Sequence, residues 1–283
     1  MYHGIGRALR ATRLRKSLRD KLSRVVDEAV SRHFAGHAAR LDALGREIAE
    51  LRRELAGEVR GQGDRLVEHA SQVEHRARRD LLFAGEAEAA RRSAAFVREQ
   101  LANARSFPEP HRTLEHALTL APQGGMALEF GVYSGTTLKI IADARAGERV
   151  YGFDSFEGLP ETWRSGFPAG TFDVDSLPDV PGSELVVGWF DEVLPGFLDT
   201  HPGPVDFLHV DCDLYSSTKT VLDLVGPRLR PGSVVIFDEY FNYPGWPDHE
   251  HRAWQEYVER TGLRFEYEAY TIDHEQVVVK VTG

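Results

Sequence analysis

Met126 to Leu138, MALEFGVYSGTTL, is the stretch whose reading decides the fold. Met126 to Phe130 is an apolar run with an acid near its end, and it reads as a buried strand. Gly131, Ser134 and Gly135 make a small-residue turn in which the backbone can adopt positive φ and approach a ligand closely. Thr136, Thr137, Leu138, Ile140, Ile141 and Ala142 follow at helical spacing. Strand, glycine turn and helix together form the first unit of a Rossmann-like sheet. A second short strand, Val150 to Phe153, ends at Asp154, nineteen residues past Gly135. An acid at about that distance hydrogen-bonds ribose hydroxyls in nucleotide-binding folds.

The glycine spacing is not that of the dinucleotide fingerprint, and Glu129 sharpens the distinction. A carboxylate at the end of the first strand suits an ammonium group or ribose hydroxyls and would repel a pyrophosphate. Glu129, Gly131, Ser134, Gly135, Asp154 and Ser155 form a candidate cofactor site. Glu129, Gly131, Gly135 and Asp154 resemble the corresponding site of class I methyltransferases, which bind S-adenosylmethionine.

Upstream of this unit, residues 1–105 read as a helical, partly coiled-coil extension. Residues 17–100 are rich in Ala, Arg, Glu and Leu and contain no proline or tryptophan. Leu18, Leu22, Val25 and Ala29 repeat at four-three spacing, and so do Leu41, Leu44, Ile48, Leu51 and Leu55. The two runs do not share one register, and Gly61-Gln62-Gly63 interrupts the second. Such helices need a partner for their stripes, either the same chain or a second subunit, so a homo-oligomer is expected. Residues 1–24 carry eight basic side chains against one acid, which suits either a solvated helical arm or a membrane-surface or polyanion-binding segment. Phe107-Pro108-Glu109-Pro110 marks the boundary to a domain over 106–283 that holds all four tryptophans.

Charge and composition exclude several classes. The formal net charge is −10, but residues 1–100 hold 21 Lys+Arg against 15 Asp+Glu, and residues 101–283 hold 13 against 29. The second part is a poor surface for a phosphate backbone, which counts against a nucleic-acid substrate. Cys212 is the single cysteine, so no intramolecular disulfide forms and a reducing cytoplasm is expected. No run of eighteen apolar residues predicts a transmembrane helix, and the N-terminus lacks the apolar core of a secretory signal.

Beyond Asp154 the Gly/Pro-rich tract from Ser165 to Ser183 reads as a loop over the carboxyl end of the sheet, where it would act as a substrate lid or a plain connection. Glu184 to Val187 is a third strand, and Trp189 after it either stacks on an adenine ring or packs in the core. A fourth strand, Val205 to Val210, runs into Asp211-Cys212-Asp213. Pro231-Gly232 turns the chain into a fifth, Val234 to Phe237, which runs into Asp238-Glu239. Arg264 to Thr271 and Gln276 to Val281 form a terminal hairpin whose last strand enters the sheet antiparallel. Alternation of strands and helices predicts a parallel, doubly wound sheet.

Carboxyl ends of neighbouring parallel strands share one edge, so Asp211, Asp213, Asp238 and Glu239 should converge. Bare carboxylates so close repel, and a hard divalent cation such as magnesium or calcium relieves them. Asp213 could instead cap the following helix, and Asp211 could touch a cofactor amine without metal. Asp211 and His249 are the candidate catalytic residues; His249, and His251 two residues on, follow the fifth strand in YFNYPGWPDHEH. Asp211-x-Asp213 also has the spacing of a metal-dependent glycosyltransferase, and a non-catalytic tether with a cofactor-binding domain is a further alternative.

LEFGVYSGTT, YGFDSFEGLPE, FLHVDCDLYSSTKTVL and PGSVVIFDEYFNYPGW, in this order, resemble the macrocin O-methyltransferase family, which methylates sugar hydroxyls. The resemblance spans about residues 126–250. It implies a mostly parallel seven-stranded class I fold with an antiparallel last strand, S-adenosylmethionine as donor, and a hydroxylated small-molecule acceptor. It also implies magnesium held by Asp211, Asp238 and Glu239, the last standing where the family more often has aspartate.

Overall fold

The computed structural model describes residues 3–146 and 148–283; the side chains of residues 3–14, with Arg7, Arg10 and Arg13 of the basic arm, lie outside the described set. The chain divides into two compact units, Met1–Arg79 and Asp80–Gly283.

The first unit is one helix, α1 (His3–Arg79). It runs without a break through Gly61-Gln62-Gly63, so the expected interruption is not there. Glycine costs a helix about 1 kcal/mol relative to alanine but keeps its N–H, so the ladder continues where proline would stop it. The apolar side chains from Leu18 to Val73 are all exposed.

The second compact unit begins at Asp80. Asp80 caps α2 (Leu81–Gln100), its Oδ1 accepting from the N–H groups of Leu82 (3.0 Å) and Phe83 (3.1 Å). Ala89 and Ser93 of α2 are buried, the Ser93 hydroxyl accepts from the Asn242 N–H (2.9 Å), and Phe96 packs against Tyr240, Trp246 and Tyr267. Composition groups α2 with the helical extension because both are Ala/Arg-rich; its apolar face belongs to the globular unit.

There follow β1 (Arg105–Phe107), α3 (Pro110–Leu120), β2 (Met126–Phe130), α4 (Thr136–Ala144), β3 (Val150–Asp154), β4 (Glu184–Val187), α5 (Phe190–Thr200), β5 (Val205–Val210), α6 (Tyr215–Val225), β6 (Leu229–Phe237), α7 (Glu250–Thr261), β7 (Phe265–Thr271) and β8 (Val277–Val281). The sheet order is β1-β7-β8-β6-β5-β2-β3-β4, with β8 antiparallel to both its neighbours and the other pairings parallel. The sheet is mostly parallel and doubly wound with β8 antiparallel, and has eight strands where seven are expected, the extra one being short β1 at the edge, which the Phe107-Pro108 boundary hides. Pro231-Gly232 does not turn the chain into β6 but lies within it. The register slips there, with Leu229 opposite Val205 and Val234 opposite Phe207, and the irregularity absorbs the missing proline N–H.

Both faces of the sheet are covered. Ala127, Phe207, Val234, Ile236 and Val278 pack under Leu114 of α3 and Leu138 and Ile141 of α4. Leu128, Phe130, Leu208, Val210, Val235 and Phe237 pack under α5, α6 and α7 through Leu194, Val221 and Trp254. Strands buried on both sides explain the continuous apolar runs in the sequence.

Candidate active site

The turn after β2 is fixed by backbone crowding. Gly131 has φ +91°, and a Cβ there would lie 1.7 Å from the carbonyl oxygen of Asp211. Only glycine permits the end of β2 to approach the segment after β5 so closely. Gly135, at φ +78°, starts α4 under Val180. Asp154, at the end of β3, ties the turn down: its Oδ2 accepts from the N–H groups of Val132 (2.8 Å) and Tyr133 (2.9 Å), and its Oδ1 from Phe156 (2.7 Å). Sequence spacing finds this acid but not its duty to the turn.

A cavity of about 580 Å³ opens at this edge, within the usual size range of small-molecule sites. Of the expected site residues, Gly131, Asp154, Ser155, Trp189, Asp211 and Glu239 reach its wall, as does Asp213. Ser134, Gly135, Glu129, Asp238 and His249 do not. Ser134 is exposed and its hydroxyl pairs with that of Thr136 (3.0 Å). His249 precedes α7 with its Nδ1 buried and unpartnered, and burial lowers its pKa. His251 is wedged among Phe96, Tyr240 and Trp246, and burial lowers it to about 4. Neither histidine is brought to the cavity, because the segment after β6 folds back against α2.

Glu129 is fully buried on the α3/α4 side of the sheet, and its Oε1 accepts from Nδ1 of His209 on neighbouring β5 (2.8 Å). His209 Nε2 reaches Oδ1 of Asp238 at 3.4 Å, and the Gln276 side-chain amide also donates to that oxygen. A polar row therefore crosses β2, β5 and β6 at the level where they end. Burial alone would lower the His209 pKa, but its hydrogen bonds to Asp238 and Glu129 outweigh that and hold it well above 6.5. Burial would raise Asp238; the bonds from His209 and Gln276 outweigh it and keep this carboxyl low. Glu129 thus bonds His209 and does not line the cavity. His209 escapes a reading of apolar runs because it sits inside one, although it stands two residues before Asp211 and so on the same side of the strand.

Asp211, Asp238 and His209 each offer a ligand atom within 4.8 Å of the others. Glu239 stands outside that group, but its Oε2 is buried without a partner on the cavity wall, and its backbone N–H donates to Oε2 of buried Glu250 (3.0 Å). Burial, Asp213, Asp238 and Asp211 push the Glu239 carboxyl well up; burial and then Asp238 do the same to Asp211. An orphaned carboxylate oxygen among acids that resist ionisation is a donor set that a hard cation fits.

Asp213 does not cap α6, whose N-cap is Leu214 without any side-chain bond. It has φ +61° and lines the cavity, and burial pushes its carboxyl up to about 7 against the opposing pull of Arg164. The Gly/Pro-rich tract lines the cavity too, through Phe167 and Phe172, as do Trp163 and Arg164 just before it. The Arg164 guanidinium lies 3.8 Å from the Trp163 ring centroid and pairs with Glu275 before β8 (3.0 Å).

Comparison with known proteins finds several likenesses. Residues 128–240 match the family described as "Methyltransferase domain". A relative from Streptomyces olivaceus, named 8-demethyl-8-(2,3-dimethoxy-alpha-L-rhamnosyl)-tetracenomycin-C 4'-O-methyltransferase, is 30% identical over 141 residues, covering 41% of this chain and 53% of the relative. The chain thus spans about half the length of that curated relative. Among solved structures, the calicheamicin methyltransferase CalS11 is similar at 24% identity over 69% of this chain and 91% of its own, TM-score 0.48. The O-methyltransferase NovP is similar at 24% identity over 61% and 79%, TM-score 0.45. Asp211 and Asp213 both lie inside the segment that matches the methyltransferase domain. No described helix is long and apolar enough to cross a membrane.

Proposed function

We propose that the chain transfers a methyl group from S-adenosylmethionine to a hydroxyl of a sugar or glycosylated metabolite, assisted by magnesium held by Asp211, Asp238 and Glu239. The observation that carries this reading is the acid cluster at the ends of β5 and β6 beside a cavity whose wall also includes Gly131, Asp154 and Trp189. The tetracenomycin relative, named for O-methylation of a rhamnosyl compound, supports a sugar acceptor.

Magnesium, when bound, supplies a Lewis acid that lowers the pKa of a substrate hydroxyl. The protein supplies the rest. His209 donates to Asp238 and fixes its orientation, as outer partners of metal-binding carboxylates do. Asp213 accepts the proton of the acceptor hydroxyl, since a carboxyl near 7 is matched to that task at neutral pH. Asp154, Ser155 and Trp189 hold the nucleoside of the donor. Trp163, Phe167 and Phe172 close the cavity against water, which strengthens every charge interaction inside it. The single, buried Cys212 fits a reducing compartment, the cytoplasm.

Release of S-adenosylhomocysteine, followed over a panel of glycosylated metabolites, tests the reaction. Turnover should vanish in excess chelator and return with magnesium. Asp211→Asn and Asp238→Asn should each cut turnover far more than S-adenosylhomocysteine binding. Full turnover in excess chelator would sink the magnesium role.

A further inference from the structure

We propose that α1 pairs with α1 of a second copy of this chain as a parallel, in-register two-stranded coiled coil, in which Glu47 of each copy faces Arg52 of the other. This goes beyond the methyltransferase reading and does not rest on it.

The 77 residues of α1 make a rod about 115 Å long at 1.5 Å per residue. Leu41, Leu44, Ile48, Leu51 and Leu55 are each at least half exposed. A helix of this length cannot keep such a stripe in water; helical stability in proteins comes from packing an apolar face, not from propensity. The two leucine-rich runs differ in heptad register, yet the unbroken helix joins them into one stripe. Leu18, Leu22, Val26, Val30, Phe34, Leu41, Leu44, Ile48, Leu51, Leu55, Val59, Leu66 and Val73 follow a mean step of about 3.7 residues, close to the 3.6 of a straight helix. The stripe therefore stays on one side along the rod, as a partner of equal length requires.

A second copy of α1 is the occupant that the flanking charges fit. Leu41, Ile48 and Leu55 take the a positions of the central heptads, and Leu44 and Leu51 the d positions. Ile48 at a with leucine at d suits a parallel two-stranded coil. Glu47 and Glu54 then fall at g, and Arg52 at e. In a parallel, in-register pair each g residue faces the e residue five positions on in the partner, so Glu47 meets Arg52 twice across the dyad. An antiparallel pair sets g against g and e against e, which brings glutamates together and leaves Arg52 without an acid. Five residues apart on one helix, Glu47 and Arg52 are not neighbours within the chain.

The test uses the full chain with Leu44→Cys or Leu51→Cys, oxidised by glutathione disulfide and run on non-reducing gels. Facing d positions of a parallel coil lie within disulfide reach, so each variant alone should give a covalent dimer; the unsubstituted chain, with only buried Cys212, is the baseline. Cross-linking of neither variant alone, but of either when mixed with a chain carrying a cysteine at an a position (Leu41→Cys, Ile48→Cys or Leu55→Cys), would show antiparallel packing, in which d faces a, and overturn the proposal. Absence of any cross-link in chains with full helical circular dichroism would also overturn it. Independently, sedimentation should show Glu47→Arg weakening self-association about tenfold, by replacing two attractive pairs with two repulsive ones. Glu47→Arg with Arg52→Glu should restore it. Failure of the double swap to recover would mean that these residues do not face each other.

Discussion

Replacing His209 with leucine strikes the centre of the buried polar row. Glu129 and His209 are fully buried, and the Asp238 side chain is 15% exposed, so solvent screens the loss little. Leucine removes both ring N–H groups: the 2.8 Å bond to Glu129 and the 3.4 Å bond to Asp238 vanish together. Glu129 then keeps a buried carboxyl whose pKa burial already raises, with nothing left from His209 to oppose it. Removing one partner of a buried pair costs about 3–5 kcal/mol, because the other charge stays desolvated. Against a typical total of about 5–15 kcal/mol this is about a fifth or more of the stability.

Urea unfolding in chelator at pH 7, read by tryptophan fluorescence, measures the loss, since all four tryptophans lie in the second unit. The His209 pKa is raised in the folded chain, so its contribution is complete below its unfolded value and fades as pH rises through the folded one. The gap between wild type and His209→Leu should therefore shrink on going alkaline. Glu129→Gln combined with His209→Leu should cost less than the sum of the two single changes, because no buried acid is then stranded. A loss under about 1 kcal/mol for His209→Leu, set against the range for buried pairs, would refute the row as a structural element.

Two further outcomes separate the roles assigned to other acids. Asp154→Asn should weaken S-adenosylhomocysteine binding by about 1–3 kcal/mol in calorimetry, since an amide cannot accept with both ends and the turn at Val132 and Tyr133 loosens; unchanged affinity in a folded variant would remove Asp154 from the donor site. Asp213→Asn should cut turnover about 10²–10⁴-fold and abolish the rise of rate with pH near 7, while His249→Ala stays within a few-fold of wild type; the reverse ranking would return the proton-accepting role to His249.

Much of the fold is legible because its signals are local. The apolar runs of β2, β5 and β6 and the Gly131 and Gly135 turn each declare themselves within ten residues. Two features do not. Pro231-Gly232 reads as a turn because these residues usually end a strand, and only pairing with β5 shows the slipped register that holds them inside β6. The boundary at Asp80 stays hidden because α2 and α1 share a composition. What assigns α2 to the globular unit is burial against residues near 240, reached across about 150 positions of chain.

The site divides along the same line. Asp211, Asp154 and Glu239 reach the cavity wall because strand ends point to one edge, whatever the strand order. Where Glu129 lies relative to the cavity depends on which strand lies beside it. Reading β2 alone, an acid at its end belongs to the ligand; with β5 beside β2, Glu129 stands opposite His209, 80 residues away, and the two neutralise each other's burial. The next strand, β6, then puts Asp238 within reach of the same ring. Sequence separates these three side chains into unrelated apolar runs, whereas the sheet makes them one chain of contacts. A change at Glu129 should consequently be felt at Asp238, on the acid side of the cavity, before it is felt where the nucleoside is held.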